Sequence, residues 1–509
     1  MIDVITKINT AINDVVWGWP ALILLGFVGI LMTVLTKFFQ LSHFKHWVKN
    51  TIGAIFKDKH VTGHTKDKSI SQFQSLCTAL AATVGTGNIV GVATAIATGG
   101  PGAVFWMWII AFFGMMTNYS ENVLGILYRR KDKDGAWHGG AMYYLRDGLG
   151  SYKHCKNLGK ILAVLFSVFC LLASFGIGNM SQVNSMTKNV TKAAADLNIT
   201  IPNIAVGIFL FIAIGSVVVG GLKRIARITE KVVPFMVIIY FIGAIVIICS
   251  KGSYIPAIFK SIIRGAFAMK AVGGGIVGSG VALAMKMGFK RGIFSNEAGL
   301  GSSVMVHSSS NVKEPVRQGM WGIFEVFADT IIVCTLTALV ILGSGAINLD
   351  TGIFNESIKL ADGSMLEASA LVSYAFSNVF GAAGSVFVAL AVLLFAYSTV
   401  LGWSHYGSTA VQYLWGNKAV YVYRFVFCAL TLASSVMTAT LAWDISDTFN
   451  GLMMLPNLIG VLALSPMVAK CTKNYVDRHF RNKDVKPMLS AFEDIEEMQA
   501  RALSEEGDD

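Results

Sequence analysis

Two glycine-rich segments interrupt stretches that are otherwise apolar enough to form membrane helices. The first reads GTGN at residues 85–88, and the second reads AVGGGIVGSG at residues 271–280. Glycine disfavours a helix by about 1 kcal/mol per residue relative to alanine, so these segments can unwind. An unwound segment exposes backbone amides, which attract a carboxylate, and carbonyl oxygens, which attract a cation. One broken helix could therefore bind both ends of an amino acid together with a cation.

Two other interpretations of the first segment start from the same glycines. Gly87 and Gly91 have the small-xxx-small spacing that lets membrane helices pack closely without unwinding, and the sequence alone leaves this interpretation open. A dinucleotide-binding loop does not fit, because the glycine spacing differs and the preceding residues, SQFQSLCTALAATV, have a helical pattern.

The elements that carry these segments are predicted to be membrane helices. Of the 509 residues, 54% are hydrophobic and only 14% are charged, whereas about 25% are charged in a typical soluble protein. A helix needs about 20 apolar residues to cross a bilayer. Eleven stretches are long enough, near residues 18–41, 74–98, 101–127, 160–187, 201–222, 229–250, 266–288, 318–345, 380–407, 418–441 and 449–470. We therefore predict an all-α, polytopic membrane protein with about eleven transmembrane helices.

The distribution of positive charge predicts the orientation of these spans. The formal net charge is +11, and the Lys and Arg residues concentrate in alternate loops, at residues 45–68, 129–160, 222–231, 286–317 and 470–486. Positive loops face the cytoplasm, so the amino terminus is predicted outside and the carboxyl terminus inside. This placement also argues against a nucleic-acid-binding surface. The acidic tail from residue 490 is predicted to be an exposed, partly disordered or helical extension.

The ten spans that follow the first divide into two sets of five, and an odd number per set gives the two halves opposite orientations. Each glycine-rich segment lies in the span that opens its half, an arrangement typical of a transporter binding site. The predicted boundaries are 1–70 for the external amino-terminal segment, extra span and first cytoplasmic loop, 71–250 and 251–471 for the two five-helix repeats, and 472–509 for the cytoplasmic acidic tail.

Three long motifs carry a family resemblance. They are TALAATVGTGNIVGVATAIATGGPGAVFWMW around the first glycine segment, RGIFSNEAGLGSS at 291–303 and FADTIIVCTLTA at 327–338. Together they resemble the alanine or glycine:cation symporter family of bacteria and archaea, from the first span to about residue 470. The resemblance implies a LeuT-type fold, with five plus five inverted helices, two broken helices and one extra amino-terminal span. It also implies uptake of small neutral amino acids coupled to Na⁺, or in some members to H⁺.

The resemblance further implies which residues form the binding sites. Backbone carbonyls of Ala81 and Val84 and the hydroxyls of Ser398 and Thr399 would bind Na⁺, since hard oxygen ligands suit this ion. Trp403, one turn beyond Thr399, would limit the size of the substrate side chain. The other expected substrate-binding residues lie in the two glycine segments and on the third core helix: Thr83, Gly85, Thr86, Gly87, Asn88, Phe175, Asn179, Gln182, Gly274, Gly275, Ile276 and Gly278.

Acidic residues within the spans need an explanation, because an ionised group at the bilayer centre costs about 3 kcal/mol or more. Glu121 and Glu325 fall near predicted cytoplasmic helix ends, where we expect pairing with Arg or Lys in a gate or a structural contact. Asp329 sits deeper and is a candidate for a second cation site or a proton-linked role. Asp444 and Asp447 are predicted to cap the last span.

We therefore expect a monomeric secondary symporter, embedded in the lipid of a prokaryotic cell membrane, that imports alanine or glycine with Na⁺ and needs no organic cofactor. Glutamine or serine as the substrate, and H⁺ as the coupling ion, are alternatives that the sequence leaves open. An ion channel would also use broken helices and carbonyl oxygens. An enzyme is not expected, because the sequence has no HExxH, GxSxG or paired catalytic cysteine motif.

Overall fold

The computed structural model describes residues 2–65, 67–133, 135–267, 279–349, 368–437 and 440–506. The described chain is almost entirely helical. The amino-terminal region contains α1 (Ile2–Val16), α2 (Trp19–Leu35), α3 (Phe39–Ser42), α4 (Phe44–Asn50), α5 (Ile52–Ile55) and α6 (Lys59–Thr62). The next part contains α7 (Gln72–Thr83), α8 (Val92–Gly99), α9 (Gly102–Leu127), α10 (Ala141–Tyr143), α11 (Lys156–Phe175), α12 (Ser181–Asp196), α13 (Asn203–Val218) and α14 (Gly221–Ser250).

The second part of the chain continues the helical pattern. It contains α15 (Ile255–Phe267), α16 (Ser279–Asn296), α17 (Val304–His307), α18 (Pro315–Val326), α19 (Thr335–Gly343), α20 (Ala368–Phe380), α21 (Ala382–Trp415), α22 (Asn417–Ser434), α23 (Thr440–Ala463), α24 (Ser465–Arg481) and α25 (Glu493–Glu506). Four π-helical turns lie at Gly87–Gly91, Tyr144–Gly148, Gly176–Met180 and Phe327–Cys334, and 3₁₀ turns lie at Leu149–Ser151 and Gly252–Tyr254. An antiparallel hairpin pairs β1 (Arg130–Lys131) with β2 (Trp137–His138).

Among the described residues, six helices are long and apolar enough to cross a membrane, or up to eight if each of two bent helix pairs counts as one span. The described parts of the predicted stretches lie mostly in helical segments, although α13 is shorter than a standard span. The prediction of an all-α, multi-pass membrane protein is therefore confirmed, while the number eleven stays a prediction. The second glycine segment, with the predicted break at Gly274, Gly275, Ile276 and Gly278, lies outside the described residues.

Helix α21 is the central element of the packing. It has 34 residues and contacts α7, α11, α12, α14 and α22. Gly381 and Gly416 flank it with φ angles of 60° and 82°, values that glycine adopts without the steric penalty of a side chain. At its middle, a Cβ atom on Gly402 would lie only 2.7 Å from the Cβ of Ala82, so α21 crosses the end of α7 at close range.

The carboxyl-terminal tail is helical and exposed along its charged side, as predicted, but its other side docks on the rest of the protein. The Ala491 amide donates to the Leu127 carbonyl at 2.8 Å, and Leu489 is fully buried. Arg130 stacks over the Phe492 ring, 4.0 Å from its centroid. The docking was not predicted, because charge alone was considered, whereas Leu489 and Phe492 give the segment an apolar side that packs on the end of α9.

A second contact attaches the carboxyl-terminal region to the loop before α18. Glu314 is 4% exposed and pairs with Arg478 at 2.5 Å and with His479 at 3.3 Å. Burial alone would raise the pKa of Glu314, but the hydrogen bonds and charges of His479 and Arg478 outweigh it, so the pKa lies below its usual value.

The lowered pKa of Glu314 predicts how the stability of this contact depends on pH. A carboxylate with a lowered folded-state pKa stabilises the fold above its unfolded pKa, and this stabilisation is lost as the pH falls through the folded pKa. We expect Glu314→Gln to lower the melting temperature at neutral pH, by losing about 1–3 kcal/mol of charge-assisted hydrogen bonding. The measurement is thermal unfolding of the purified protein between neutral pH and about pH 3, a range that extends below the usual pKa of Glu. The control Glu497→Gln alters an exposed pair with Arg501 at 3.9 Å and should have little effect at any pH. If the melting temperatures of wild type and Glu314→Gln depended on pH in the same way, the stabilising role of the Glu314 carboxylate would be contradicted.

Candidate ion and substrate site at a broken helix

The first glycine segment breaks its helix where the sequence predicts. The axes of Gln72–Thr83 and Gly87–Gly99 differ by 49°. Val84 leaves the helical region with a ψ of 87°, and the chain re-enters it at Thr86. Inside a membrane, the backbone groups freed by such a break need new partners. The Asn88 side chain supplies one, because its Oδ1 accepts the Gly85 amide at 2.9 Å.

The same asparagine connects the break to a buried acid. Asn88 Nδ2 donates to Asp329 Oδ1 at 2.6 Å, and the hydroxyls of Ser295 and Thr330 each donate to Asp329 Oδ2 at 2.8 Å. Asn88, Ser295, Asp329 and Thr330 are all fully buried. The π-helical turn Phe327–Cys334 places Asp329 at this position. The network holds α7, α16 and α18 together around the break.

The hydroxyl pair of α21 lies against the break. A Cβ atom on Gly85 would lie 2.3 Å from Thr399 Oγ1, so the glycine touches this hydroxyl directly. The hydroxyls of Ser398 and Thr399 donate to the Phe395 carbonyl at 2.8 and 3.0 Å, which leaves their lone pairs available to other groups. The structure therefore brings Thr399 against the break at Gly85, the residue after Val84. The Ser398 hydroxyl lies 3.4 Å from Met236 Sδ, so its part in an ion site stays a prediction.

A cavity of 240 Å³ opens on the other side of the break. It is lined by Thr86, Val90, Gly91, Thr94, Arg291, Phe294, Asp444 and Asp447. Three buried polar atoms of this lining have no hydrogen-bond partner among the described residues: Thr86 Oγ1, Arg291 Nε and Asp447 Oδ1. The other oxygen of Asp447 pairs with Lys290 at 2.6 Å. The cavity thus presents a hydroxyl, a guanidinium and a carboxylate to whatever enters it.

Sequence reasoning missed the charged part of this cavity. Asp444 and Asp447 were expected to cap the last span, which was wrong, because α23 begins at Thr440 and both residues lie within the helix. A signal for Arg291 was present, since it opens the RGIFSNEAGLGSS motif. The Lys290–Asp447 pair could not be predicted from the sequence, because the two residues lie far apart in the chain, in α16 and α23.

The third core helix consists of α11 and α12, joined by a π-helical turn, and its predicted site residues have different partners. Asn179 Nδ2 donates to the Phe427 carbonyl at 2.7 Å, and the Phe175 ring packs on Tyr423 at 5.3 Å, so both face α22. Gln182 is 2% exposed, donates to the Ile177 carbonyl at 3.1 Å, and has no described partner for its Oε1 atom. The intervening π-helical turn Gly176–Met180 shifts the helix register, which interrupts the single face expected from regular α-helical spacing.

Three further predicted substrate residues, Trp403, Thr83 and Gly87, are buried close to these elements. Trp403 is 1% exposed, and a Cβ atom on Gly178 would lie 2.5 Å from its Cβ, so the indole packs against the π-helical turn. Thr83 is 4% exposed, and its hydroxyl donates to the Ala79 carbonyl at 3.3 Å. Gly87 packs on α16, where its Cβ would lie 3.3 Å from Phe294 Cδ1.

The partners of the two remaining membrane acids differ from those expected. Glu325 accepts from His307 Nε2 at 3.0 Å and lies 3.3 Å from Asn118 Nδ2, with both His307 and Glu325 fully buried. Glu121 accepts a hydrogen bond from Asn457. The expectation of Arg or Lys partners was wrong, because amide and imidazole groups fit into the closely packed interior without a long, strongly hydrated side chain.

The contact between Gly85 and Thr399 predicts a position-dependent effect of alanine. Gly85→Ala would displace the Thr399 hydroxyl, whereas Gly91→Ala adds the same methyl group where nothing lies within 4 Å. We expect Gly85→Ala to abolish most of the rise in melting temperature that Na⁺ produces relative to K⁺, and Gly91→Ala to retain it. A Na⁺ effect of equal size in both variants would show that the Gly85–Thr399 contact is not part of an ion site.

The hydrogen bond between Asn88 and Asp329 predicts energetic coupling across the break. Asn88→Ala and Asp329→Ala should each destabilise the protein, and the double variant should be less destabilised than their sum by at least about 1 kcal/mol. Free energies of unfolding in mixed micelles measure this difference. Asn88→Ala combined with Thr431→Ala is the control, because Thr431 bonds Asn179 instead, and its effect should simply add. Additivity in both cycles would contradict the network.

Comparison with known proteins is consistent with this architecture. The chain is 40% identical over 473 residues to the "Sodium/alanine symporter AgcS" of Methanococcus maripaludis, covering 93% of this chain and 97% of that protein. It is 34% identical over 474 residues to the "Probable sodium/glutamine symporter GlnT" of Bacillus subtilis, covering 93% and 91%. It is 35% identical over 477 residues to the "Putative sodium/proton-dependent alanine carrier protein YrbD" of the same organism, covering 91% of each chain.

A solved structure supports the fold. The crystal structure of MhsT in complex with L-phenylalanine superposes with a TM-score of 0.50 at 13% identity, over 80% of this chain and 99% of that one. This likeness concerns the fold alone and confirms the expected LeuT-type architecture. A model of the sodium:alanine symporter family matches residues 2–489. The chain therefore belongs to the sodium:alanine symporter family.

Proposed function

We propose that this protein is a secondary active symporter that imports a small neutral amino acid, alanine or glycine, together with Na⁺. The observation that carries the proposal is the contact of the broken helix at Gly85 with the Thr399 hydroxyl. Family membership and the 40% identical sodium/alanine symporter of Methanococcus maripaludis support the same substrate and ion. Transport of this kind breaks no covalent bond, so the protein is not expected to be an enzyme.

The proposed Na⁺ site lies between the end of α7 and the middle of α21. Ala81 and Val84 stand at the carboxyl end of α7, where unpaired carbonyls and the helix dipole favour a cation. Ser398 and Thr399 contribute hydroxyl oxygens from α21, and all four residues are at most 2% exposed. A hard cation without bound water suits such a set of oxygen atoms.

The proposed substrate site lies on the other side of the same break. Amides of Thr86 and Gly87 open the second half of the helix and would bind the substrate carboxylate. The Gly85 amide, which was expected to join them, donates instead to Asn88 Oδ1 at 2.9 Å. The unpaired Oε1 of Gln182 is an acceptor for the ammonium group, as are the carbonyls predicted at 274–278. Trp403, packed on Gly178, would restrict the substrate to a short side chain.

The 240 Å³ cavity is proposed as the route by which a zwitterion reaches the break. Thr86 belongs to both the break and the cavity lining. Arg291 and Asp447 offer opposite charges, which match the carboxylate and the ammonium of an amino acid without a preference for any side chain. Trp17 Nε1 donates to the Asp447 carbonyl at 3.0 Å, so with the amino terminus predicted outside, the cavity would serve uptake from the exterior of a prokaryotic cell. Lys290 and Arg291, predicted in a cytoplasmic loop, lie instead in α16 at this cavity.

The ion gradient would supply the energy for import. Each charge that enters contributes about 2.3 kcal/mol per 100 mV, in addition to the concentration term. Rocking of one helix bundle against the other would expose the site to each side in turn. We further propose that the protein acts as a monomer and that its two five-helix repeats have the boundaries 71–250 and 251–471.

A second substrate, glutamine, is supported by one observation. The chain is 34% identical to a probable sodium/glutamine symporter, so this family includes a protein named for a larger side chain. The same uptake experiment distinguishes the two substrates, because it measures competition by alanine, glycine, serine and glutamine.

The experiment that tests the proposal is uptake of labelled alanine into proteoliposomes that contain the purified protein. An inward Na⁺ gradient should drive accumulation that K⁺ at equal pH does not, and unlabelled glycine should compete. Accumulation driven by a pH gradient instead would assign H⁺ as the coupling ion. A lack of competition by any neutral amino acid would reject the substrate class.

The hydroxyl of Thr399 has a specific expected role in this uptake. We expect Thr399→Ala to raise the Na⁺ concentration for half-maximal uptake by at least about tenfold, since it removes an oxygen ligand worth about 1.4 kcal/mol or more. Thr399→Ser keeps the hydroxyl and should retain Na⁺ dependence within about threefold. Melting temperatures of both variants control for folding. An unchanged Na⁺ dependence in Thr399→Ala would remove this residue from the ion site.

A further inference from the structure

An apolar groove runs along the membrane-facing side of α13 and α22. It has a volume of 370 Å³ and is lined almost entirely by apolar groups, among them Ile212, Val219, Tyr421 and Phe425. Val219, Tyr421 and Phe425 are 69%, 73% and 76% exposed, so the groove is open to its surroundings along its length. In a membrane protein, these surroundings are lipid acyl chains.

A polar cavity of 440 Å³ continues the groove at one end. Tyr421 and Arg424 line both spaces, so the two are continuous. Lys68, Lys223 and Arg424 contribute three cationic side chains to the cavity, and Ser408 and Thr409 of α21 contribute hydroxyls. None of the described residues that line the cavity is acidic.

Two helix amino termini point to the same cavity. Helix α14 begins at Gly221 and helix α22 at Asn417, and Gly220, Leu222 and Asn417 belong to the cavity lining. Unpaired amides and the positive end of each helix dipole favour an anion there. Arg424 Nη1 donates a hydrogen bond to the Val219 carbonyl at 3.2 Å. The guanidinium lies over Gly221, because a Cβ atom added to this glycine would be 3.0 Å from Nη2. This position leaves further donors of the guanidinium for a ligand.

The nearest acidic side chains have other partners. Asp67 accepts from the amide and the hydroxyl of Ser69, at 3.1 and 2.5 Å. Asp132 pairs with His138 at 2.8 Å. Lys223 donates to the backbone carbonyl of Asp67. The described hydrogen bonds of Lys223 and Arg424 thus go to backbone carbonyls, of Asp67 and Val219, and not to carboxylates.

We propose that the groove and cavity together bind one anionic phospholipid of the cytoplasmic leaflet. Its phosphate would lie among Lys68, Lys223 and Arg424, and one acyl chain would lie between α13 and α22. The starts of α14 and α22 both adjoin loops on the side of the membrane that the charge distribution assigns to the cytoplasm. The cavity would therefore lie at the level of the lipid headgroups of the cytoplasmic leaflet. A free phosphate would satisfy the cations but would not explain a membrane-exposed apolar groove that leads directly to them.

The test uses the purified full-length protein in detergent and dioctanoyl phosphatidylglycerol as the probe. Its binding is measured by native mass spectrometry and by the shift in melting temperature, against dioctanoyl phosphatidylcholine and inorganic phosphate. We expect phosphatidylglycerol to bind at least about tenfold more tightly than the other two. Arg424→Gln should weaken it by about tenfold or more. Ser216→Phe, which fills the apolar groove without changing a charge, should also weaken it.

Lys160→Gln is the matched control, because it removes one exposed positive charge at the cytoplasmic end of α11, away from the groove. It should leave phosphatidylglycerol binding unchanged. Melting temperatures without lipid show whether each variant is folded. If inorganic phosphate displaced phosphatidylglycerol completely and Ser216→Phe did not weaken lipid binding, the site would be one for a free anion, and the proposal would be overturned. Equal binding of phosphatidylcholine, or undiminished binding to Arg424→Gln, would overturn it as well.

Discussion

The requirement that every backbone polar group inside a membrane has a partner determines this site. Helix α7 ends at Thr83 in a fully buried environment, where freed amides and carbonyls cannot bond to water. Asn88 meets part of this requirement through the Gly85 amide, and Asp329 in turn holds Asn88 in place. Groups that remain free at such a break are available to a ligand. In the function that we propose, these free groups would bind the ion and the substrate.

Glycine serves both roles that the sequence analysis treated as alternatives. Gly85 lies in the break and also permits the contact with Thr399, and Gly87 packs on Phe294 of α16. Gly402 lets α21 cross α7 at Ala82, and Gly178 accommodates Trp403. Close packing and unwinding therefore occur at the same place. A break that did not allow this approach would leave the hydroxyls of α21 too far from the carbonyl end of α7 to share one ion.

The sequence was sufficient to predict the fold class and the first break. Hydropathy located the helices, and the GTGN segment marked the interruption, because both depend on local composition. The packing of Phe175 and Asn179 against α22 could not be predicted, since their partners Tyr423 and Phe427 lie far from them in sequence. The Lys290–Asp447 pair and the docking of Ala491 on Leu127 join residues far apart in sequence, so they depend on tertiary packing.

The central claim is that one broken helix binds the ion and the amino acid side by side. The most direct measurement is the dissociation constant of alanine for the purified wild-type protein, determined calorimetrically in Na⁺ and in K⁺ at equal ionic strength and pH. Adjacent sites predict that Na⁺ tightens alanine binding by at least about tenfold, and that alanine tightens Na⁺ binding by the same factor, as linkage requires. Alanine binding of equal strength in Na⁺ and K⁺ would contradict the claim.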